Sequence, residues 1–209
     1  MHMQKHVGIL IFENVEVLDF TGPYEVFVTT RLDETRRRET ESPYRVSLLA
    51  ATAEPVTCSG GMRVLPTYTL NDAPALDILV VPGGWGVRAL LEDAALQAWL
   101  RDRAGQVSTL ASVCTGSLLL ASAGLLDGRD ATTHWRSLPF MKEHFPRVRV
   151  HEDLHVVQDG DLISSAGISA GMDLALHLVA RDHGVEVAAN AARNMEYPWP
   201  TDNTRRVTL

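Results

Sequence analysis

The sequence predicts an α/β protein built on a mostly parallel sheet with helices on both faces. Short continuous apolar runs at 7–12 and 78–81 are typical of strands that are buried on both faces of such a sheet. Segments with helical spacing alternate with these runs along the chain. The 209 residues contain no internal repeat and no low-complexity linker, so we expect one domain over 1–209.

Each element follows from a local pattern. Apolar runs predict strands at 7–12, 44–51, 78–81 and 107–113. Helical spacing predicts helices at 22–32, 94–104, 115–123, 170–181 and 185–195. Turn residues at 59–61 and 158–161 predict two hairpins. The charge-rich segment 31–41 is interpreted as a solvated loop or helix extension, with a partner-binding patch as the alternative.

Composition limits the functional classes. The net charge is -7 and the pI is near 5.6, which argues against a nucleic-acid partner. No apolar run approaches the ~20 residues that span a bilayer, and no secretory signal is recognisable, so we expect a cytoplasmic protein without membrane contact. Cys58 and Cys114 are then expected to stay reduced. Without metal-ligand spacings, we expect no metal and no cofactor.

Cys114 has the strongest chemical pattern in the chain. An apolar strand runs directly into this cysteine and an apolar helix leaves it, with small residues at Ser112 and Gly116 on either side. This pattern fits a nucleophile elbow. The start of the following helix favours a thiolate, so we expect a lowered pKa for Cys114. The alternative is a cysteine buried in the core for packing.

Three further segments supply candidate partners for Cys114. The amides of Gly83 and Gly84, which follow a buried strand, could form an anion site with the Thr115 amide; the alternative is an ordinary turn. Asp19 could be a protonated carboxyl that acts as acid and then base, or could cap a helix. His134 follows a short strand toward the same sheet edge, although a structural role is the alternative.

Together these segments resemble the ThiJ/PfpI superfamily, which is class I glutamine amidotransferase-like, and more narrowly its isonitrile hydratase branch. The resemblance lies in VLDFTGP at 17–23, VPGG at 81–84, SVCTGS at 112–117, ASAGLL at 121–126, ATTHW at 131–135 and GISAGMD at 167–173. It covers roughly residues 7–194. It implies a flavodoxin-like three-layer sandwich with a nucleophile elbow, and usually a homodimer.

The resemblance also implies roles for individual residues. Cys114 would be the nucleophile, Asp19 the acidic partner and Thr115 a further catalytic residue. The oxyanion and substrate-binding set would be Gly83, Gly84, Gly116 and His134. Protease-like and glyoxalase-like relatives have histidine directly after the cysteine, where this chain has Thr115, so peptidase activity is disfavoured. The implied reaction is hydration of a small-molecule isonitrile to an N-substituted formamide.

Two departures from the family pattern concern the pocket mouth and the dimer contact. The charged 31–41 segment is longer than usual, and the sequence ends at Leu209, where hydratase relatives often continue.

Two alternative functions remain open. One is a redox sensor or stress-protective protein, in which an activated thiolate oxidises to a sulfinate. The other is a ligand-sensing regulator domain, for which the fourteen residues after Met195 leave no room for a helix-turn-helix module.

Overall fold

A computed structural model describes residues 4–200 and 202–207, so the ends of the expected 1–209 domain and residue 201 lie outside the described residues. The strands are β1 (Lys5–Leu10), β2 (Tyr44–Ala50), β3 (Val56–Thr57), β4 (Arg63–Val64), β5 (Tyr68–Thr69), β6 (Ile78–Val81), β7 (Thr109–Val113), β8 (Asp130–Ala131), β9 (Arg149–Val150), β10 (Val156–Asp159) and β11 (Leu162–Ser165). The α-helices are α1 (Val17–Thr29), α2 (Val87–Leu90), α3 (Ala94–Ala104), α4 (Gly116–Ser122), α5 (Leu138–His144), α6 (Ala170–His183) and α7 (Val185–Asn194).

The central sheet has seven strands among the described residues, in the order β10-β11-β7-β6-β1-β2-β5. All neighbours are parallel except β10, which is antiparallel to β11 as part of a hairpin. β3 pairs with β4, and β8 with β9, in two small separate sheets. The predicted α/β class with a mostly parallel sheet is confirmed.

Helices cover both faces of the sheet, which gives three layers. On one face α1, α6 and α7 pack together over odd-numbered β1 side chains such as Val7 and Ile9. On the other face α3 and α4 cover Leu10 and Leu79, which point the opposite way. Because successive strand residues face opposite sides, a continuous apolar run fills both cores at once.

The strand order places three loops at one edge of the sheet. The chain first builds outward from β1 through β2 to β5, and then returns to lay β6 and β7 on the other side of β1. The order therefore reverses between β1 and β6. In open α/β sheets a crevice forms at this point, outside the carboxyl ends of the strands. The loops after β1, β6 and β7 meet there.

Helix α1 begins five residues earlier than predicted, because Pro23 lies inside the helix rather than in its first turn. Proline in a helix interior costs about 3 kcal/mol or more. Close packing of α1 on α6 offsets that cost: a side chain added at Gly22 would lie 3.0 Å from Met172, and one added at Gly171 would lie 3.3 Å from Pro23. Asp19 is consequently the third residue of α1, so the alternative interpretation of Asp19 as a helix cap is wrong.

Most other predicted elements are confirmed with shifts of at most two residues, including both hairpins. The prediction omitted strands β5 and β9 and helices α2 and α5, all of which are short. The short strand expected before His134 is present as β8, but it pairs with β9 in a separate small sheet and is not part of the central sheet. The charged 31–41 segment forms a mostly exposed loop with a 3-10 turn at Glu34–Arg36, where Arg37 pairs with Glu34 at 2.6 Å. Across the described residues, the helices are too short or too polar to cross a membrane.

The tail after α7 folds back across β10 and contacts the loop after β8. Asn203 exchanges hydrogen bonds with the backbone of Val156. Arg205, which is 9% exposed, donates from Nη2 to Thr132 Oγ1 at 2.7 Å and to the Thr133 carbonyl at 3.1 Å. The tail is thus part of the support for residues 132–133.

Candidate active site

Cys114 lies in the turn between β7 and α4. Its φ of 56° is in the left-handed region, where a non-glycine residue costs on the order of 1–3 kcal/mol. The surrounding backbone holds this conformation. The Cys114 N–H donates to the Ser165 carbonyl at 3.0 Å, and its carbonyl accepts from Thr133 Oγ1 and Ser117 Oγ, each at 3.1 Å. The geometry is the strand–turn–helix arrangement predicted for a nucleophile elbow.

Two glycines let neighbouring chain segments approach this turn. A Cβ at Gly167, whose φ is +63°, would lie 2.3 Å from Cys114 Cβ. A Cβ at Gly116 would lie 2.0 Å from the Val81 carbonyl oxygen. Gly116 therefore serves the close packing of α4 on the end of β6 and does not line the cleft, which corrects its prediction as a substrate-binding residue.

Asp19 lies beside Cys114, fully buried in α1. The Gly83 amide donates to its Oδ2 at 2.9 Å, while its Oδ1 has no hydrogen-bond partner among the described residues. Burial, with a smaller contribution from Glu16, raises the pKa of the Asp19 carboxyl to about 8. The carboxyl is therefore mainly protonated at neutral pH, in agreement with the sequence-based expectation.

The expected lowering of the Cys114 pKa is wrong. Cys114 is 6% exposed, and burial, followed by the nearby Asp19, raises the pKa of the thiol well above its ordinary value. The Thr115 backbone N–H opposes this shift, but α4 begins only at Gly116 and is seven residues long. Desolvation of the charged form therefore outweighs the helix start. At neutral pH both partners hold their protons.

The glycine amides are already occupied, which corrects the prediction that they are free to bind an anion. Gly83 donates to Asp19, and the Gly84 N–H donates to Thr115 Oγ1 at 3.0 Å. Gly84 has a φ of +135° and no space for a side chain, because a Cβ would lie 2.4 Å from the Asn14 carbonyl oxygen. The loop after β6 thus fixes Asp19 and Thr115 relative to each other.

A cleft of about 330 Å³ opens onto Cys114. Of the predicted site residues, Cys114, Thr115, Gly84 and His134 line this cleft, while Asp19 and Gly83 lie behind its wall. Burial lowers the pKa of His134, with a smaller effect from Arg136 and Arg205, so its imidazole is neutral at neutral pH. Within 4–200 and 202–207, no three His, Cys, Asp or Glu side chains are grouped to hold a metal ion.

The prediction omitted several residues of the cleft wall. These are Glu16, Trp85, Arg88, Trp135, Arg136, Ser137 and Ile168. Large apolar residues next to the glycine loop and the histidine were an available signal, because Trp85 directly follows Gly84 and Trp135 directly follows His134. No comparable pattern marked Arg88 and Arg136. Arg88 lies on the short helix α2 and Arg136 on a 3-10 turn at Trp135–Ser137, and neither element was predicted.

The fold and the turn define a class of protein: a three-layer α/β domain with a cysteine at a strand-to-helix elbow beside a buried carboxyl. The DJ-1/PfpI family matches residues 5–181. This chain belongs to that family.

Similar proteins of known sequence fall into different functional groups. An isonitrile hydratase from Pseudomonas putida is 38% identical over 195 residues, which cover 93% of this chain and 79% of the relative. The HTH-type transcriptional regulator GbdR from Pseudomonas aeruginosa is 34% identical over 183 residues, which cover 88% of this chain but only 48% of the regulator. Family membership therefore does not by itself assign an activity.

Solved structures agree on the fold. A ThiJ/PfpI family protein from Pseudomonas syringae superposes with a TM-score of 0.81 at 32% identity, covering 96% of this chain and 78% of the other. DJ-1beta from Drosophila melanogaster gives a TM-score of 0.75 at 25% identity, covering 94% of this chain and all of the other. These superpositions support the three-layer α/β fold that the resemblance implied for this chain.

Proposed function

We propose that this protein hydrates isonitriles to N-substituted formamides, with Cys114 as nucleophile and Asp19 as the proton carrier. The observation that carries the proposal is the buried Asp19 carboxyl, protonated at neutral pH, beside the thiol of the elbow cysteine. The 38% identity to an isonitrile hydratase supports the same reaction. Thr115 after the cysteine, in place of the histidine of protease-like relatives, also favours it.

The first step forms a thioimidate. The terminal carbon of an isonitrile carries a lone pair and becomes electrophilic once it is protonated. We propose that binding of the isonitrile exposes Asp19, which lies just behind the cleft wall beside the sulfur, to this carbon. The Asp19 carboxyl then donates its proton to the carbon, the Cys114 sulfur bonds to the same carbon, and the thiol proton passes to the Asp19 carboxylate. The sum is R–NC plus Cys–SH giving R–N=CH–S–Cys. No free thiolate accumulates, which is compatible with the raised pKa of the thiol.

The second step releases the product. Water adds to the thioimidate carbon, the C–S bond breaks, and the protons of the water pass to the nitrogen and to the sulfur through Asp19. The sum is R–N=CH–S–Cys plus water giving R–NH–CHO and Cys–SH. Asp19 is suited to both transfers because Gly83 holds Oδ2 in place while Oδ1 has no hydrogen-bond partner among the described residues.

Thr115 is proposed as the residue that orients this pair. Its hydroxyl oxygen accepts from the Gly84 N–H at 3.0 Å, and its backbone N–H points to the Cys114 sulfur. His134 is proposed as a neutral part of the substrate-binding wall, because burial lowers its pKa. A homodimer, which the resemblance implies, belongs to the same proposal and is tested by light scattering of the purified protein.

The experiment is a turnover assay with simple alkyl isonitriles, in which formamide is quantified by mass spectrometry. We expect turnover by the wild type and by Cys58→Ala, which removes the chain's other cysteine, and none by Cys114→Ala. We also expect a thioimidate on Cys114 of the wild type after rapid acid quenching. Absence of both formamide and the Cys114 adduct contradicts the proposal.

A ligand-sensing role without turnover is the second candidate, favoured by the similarity to GbdR over 88% of this chain. A sensor needs the cleft but not the nucleophile. It predicts that a small molecule binds Cys114→Ala as tightly as the wild type in calorimetry, with no product from either protein. Formation of formamide by the wild type alone rules out this candidate as the sole function.

A further inference from the structure

Two tryptophan–arginine pairs stand at the mouth of the Cys114 cleft. The Arg88 guanidinium lies 4.6 Å from the ring centre of Trp85, and the Arg136 guanidinium lies 4.8 Å from that of Trp135. Trp85 is 67% exposed and Trp135 is 39% exposed, so neither indole is needed to fill the core. Both pairs line the same cleft as Cys114.

The two guanidinium groups carry positive charge that no carboxylate pairs with among the described residues. Several other arginines form ion pairs, among them Arg37, Arg129 and Arg149. Within 4–200 and 202–207, neither Arg88 nor Arg136 is in an ion pair or donates a hydrogen bond to a carboxylate. Glu16 is the one acidic residue among the described cleft-lining residues. The cleft thus has an excess of positive charge on a chain whose net charge is -7.

Both arginines also line a second, neighbouring cleft of about 320 Å³. Its other walls are mainly apolar and include Val87, Leu118 and Phe140. Arg88 and Arg136 therefore stand where the space around the sulfur meets further apolar space. A ligand whose reactive end is at Cys114 can place a charged group at the arginines and an apolar chain against the indoles.

We propose that the substrates of this site are isonitriles whose substituent carries a carboxylate, bound by Arg88 and Arg136. This inference rests on the proposed hydration of isonitriles and adds the class of substrate. The isonitrile group itself is small and uncharged, so discrimination among substrates must come from the substituent. A guanidinium binds a carboxylate through two parallel hydrogen bonds, and stacking on an indole orders it beforehand, which lowers the entropy lost on binding.

The first test compares 3-isocyanopropanoate with the neutral 3-isocyanopropanamide, which has nearly the same size. For the wild type we expect kcat/KM to favour the carboxylate at least about tenfold, and this preference to shrink as salt is raised. Arg88→Gln/Arg136→Gln should remove the preference. Arg193→Gln, an exposed arginine on α7 that does not line the cleft, should keep it. Equal kcat/KM values for the two compounds in the wild type overturn the proposal.

A second test does not depend on turnover. Cys114 is alkylated with iodoacetate or iodoacetamide, and the rate at the Cys114 peptide is followed by mass spectrometry. We expect the iodoacetate-to-iodoacetamide rate ratio to fall at least about tenfold from the wild type to the double variant, and the single variants Arg88→Gln and Arg136→Gln to lie between. An unchanged ratio overturns the anion site even if isonitriles are hydrated. A changed ratio without turnover of either isonitrile retains the anion site and rejects the proposed function.

Discussion

Asp19 and Asp173 are both buried carboxyls, but the protein surrounds them differently. Asp173, in α6, accepts from His155 Nε2 at 2.8 Å and from the Tyr197 hydroxyl at 3.0 Å, and the Arg206 guanidinium lies 3.7 Å away. Asp19, in α1, accepts from the Gly83 amide and faces the Cys114 thiol, with no cation paired to it among the described residues.

The comparison shows that burial alone does not decide what a carboxyl does. The His155 ring, just before β10, and the Tyr197 hydroxyl, in the tail, both donate hydrogen bonds to the Asp173 carboxyl, which thereby joins the tail to α6. Around Asp19, no cation pairs with the carboxyl among the described residues, and burial raises its pKa to about 8 despite the hydrogen bond from the Gly83 amide, so the carboxyl keeps a proton that it can transfer. We interpret Asp173 as a structural residue and Asp19 as the residue that transfers protons in the proposed reaction.

The largest difference between the two carboxyls is expected in the rate of isonitrile hydration. Asp19→Asn cannot accept or release a proton, so kcat for isonitrile hydration should fall by roughly 10²–10⁴-fold, the usual contribution of a general acid–base group. Asp173→Asn should keep kcat within a few-fold of the wild type. Steady-state kinetics of the two variants checks this, with circular dichroism to establish that both are folded. Equal losses in kcat would remove the distinction between the two carboxyls.

The pH dependence of stability gives the next largest effect. Since the pKa of Asp19 is about 8 in the folded protein and 3.8 is its ordinary value, the protonated carboxyl stabilises the fold fully below pH 4, and this contribution is lost as pH rises toward 8. At about 1.4 kcal/mol per pKa unit, the free energy of unfolding should fall by about 4 kcal/mol between pH 5 and pH 8 through this group.

Asp19→Asn removes that titration and retains an acceptor for the Gly83 amide. We therefore compare the free energy of unfolding of Asp19→Asn with that of the wild type by urea denaturation. The value for the variant minus the value for the wild type should be more positive at pH 8 than at pH 5. Asp173→Asn serves as the comparison. A parallel pH profile for the wild type and Asp19→Asn would contradict the raised pKa.

Removal of the Asp173 side chain tests the structural half of the comparison. Asp173→Ala leaves the buried His155 Nε2 and the Tyr197 hydroxyl without their acceptor, and we expect a loss of about 3 kcal/mol in the free energy of unfolding. Glu143→Ala, on the exposed surface of α5, should change it by no more than about 0.5 kcal/mol. Urea denaturation at neutral pH measures both, and equal stabilities would show that the tail is not anchored through Asp173.

The smallest effect is expected at Arg205, which supports the loop around Cys114 from a distance. Arg205→Met keeps the unbranched apolar part of the side chain but removes its hydrogen bonds to Thr132 and Thr133, at a cost of about 1–2 kcal/mol. Arg206→Met, next to it, removes only a 3.7 Å contact between a partly exposed guanidinium and Asp173, and should cost less. Thermal unfolding of both variants shows which substitution lowers the stability more. A larger loss in Arg206→Met than in Arg205→Met would contradict the role of Arg205 in supporting residues 132–133.

The sequence predicted the central sheet, except its edge strand β5, and the elbow, because each is encoded locally. An apolar run followed by Cys114 and small residues specifies strand, turn and helix with little help from distant segments. The protonated state of Asp19 was also predicted correctly, since an apolar neighbourhood is visible in the adjacent sequence. These two parts of the prediction depended on sequence patterns within a few residues of Cys114 and of Asp19.

The features that were missed depend on distant contacts. The early start of α1 requires α6 to pack against Pro23, and the raised pKa of Cys114 requires the loops around the elbow to exclude water from the sulfur. The hydrogen bond between His155 and Asp173 joins the residue that precedes the edge strand β10 to helix α6. None of these contacts leaves a periodic or spaced signature in the chain, because each is set by how completed elements pack.

The position of Arg205 in the chain has a consequence for biosynthesis. Translation delivers Asp19, Gly83 and Cys114 first, and the guanidinium that fixes residues 132–133 leaves the ribosome last of these. Domains fold largely as units, with amino-terminal parts emerging first. A nascent chain can therefore assemble most of the sheet before the tail adds its hydrogen bonds to residues 132–133.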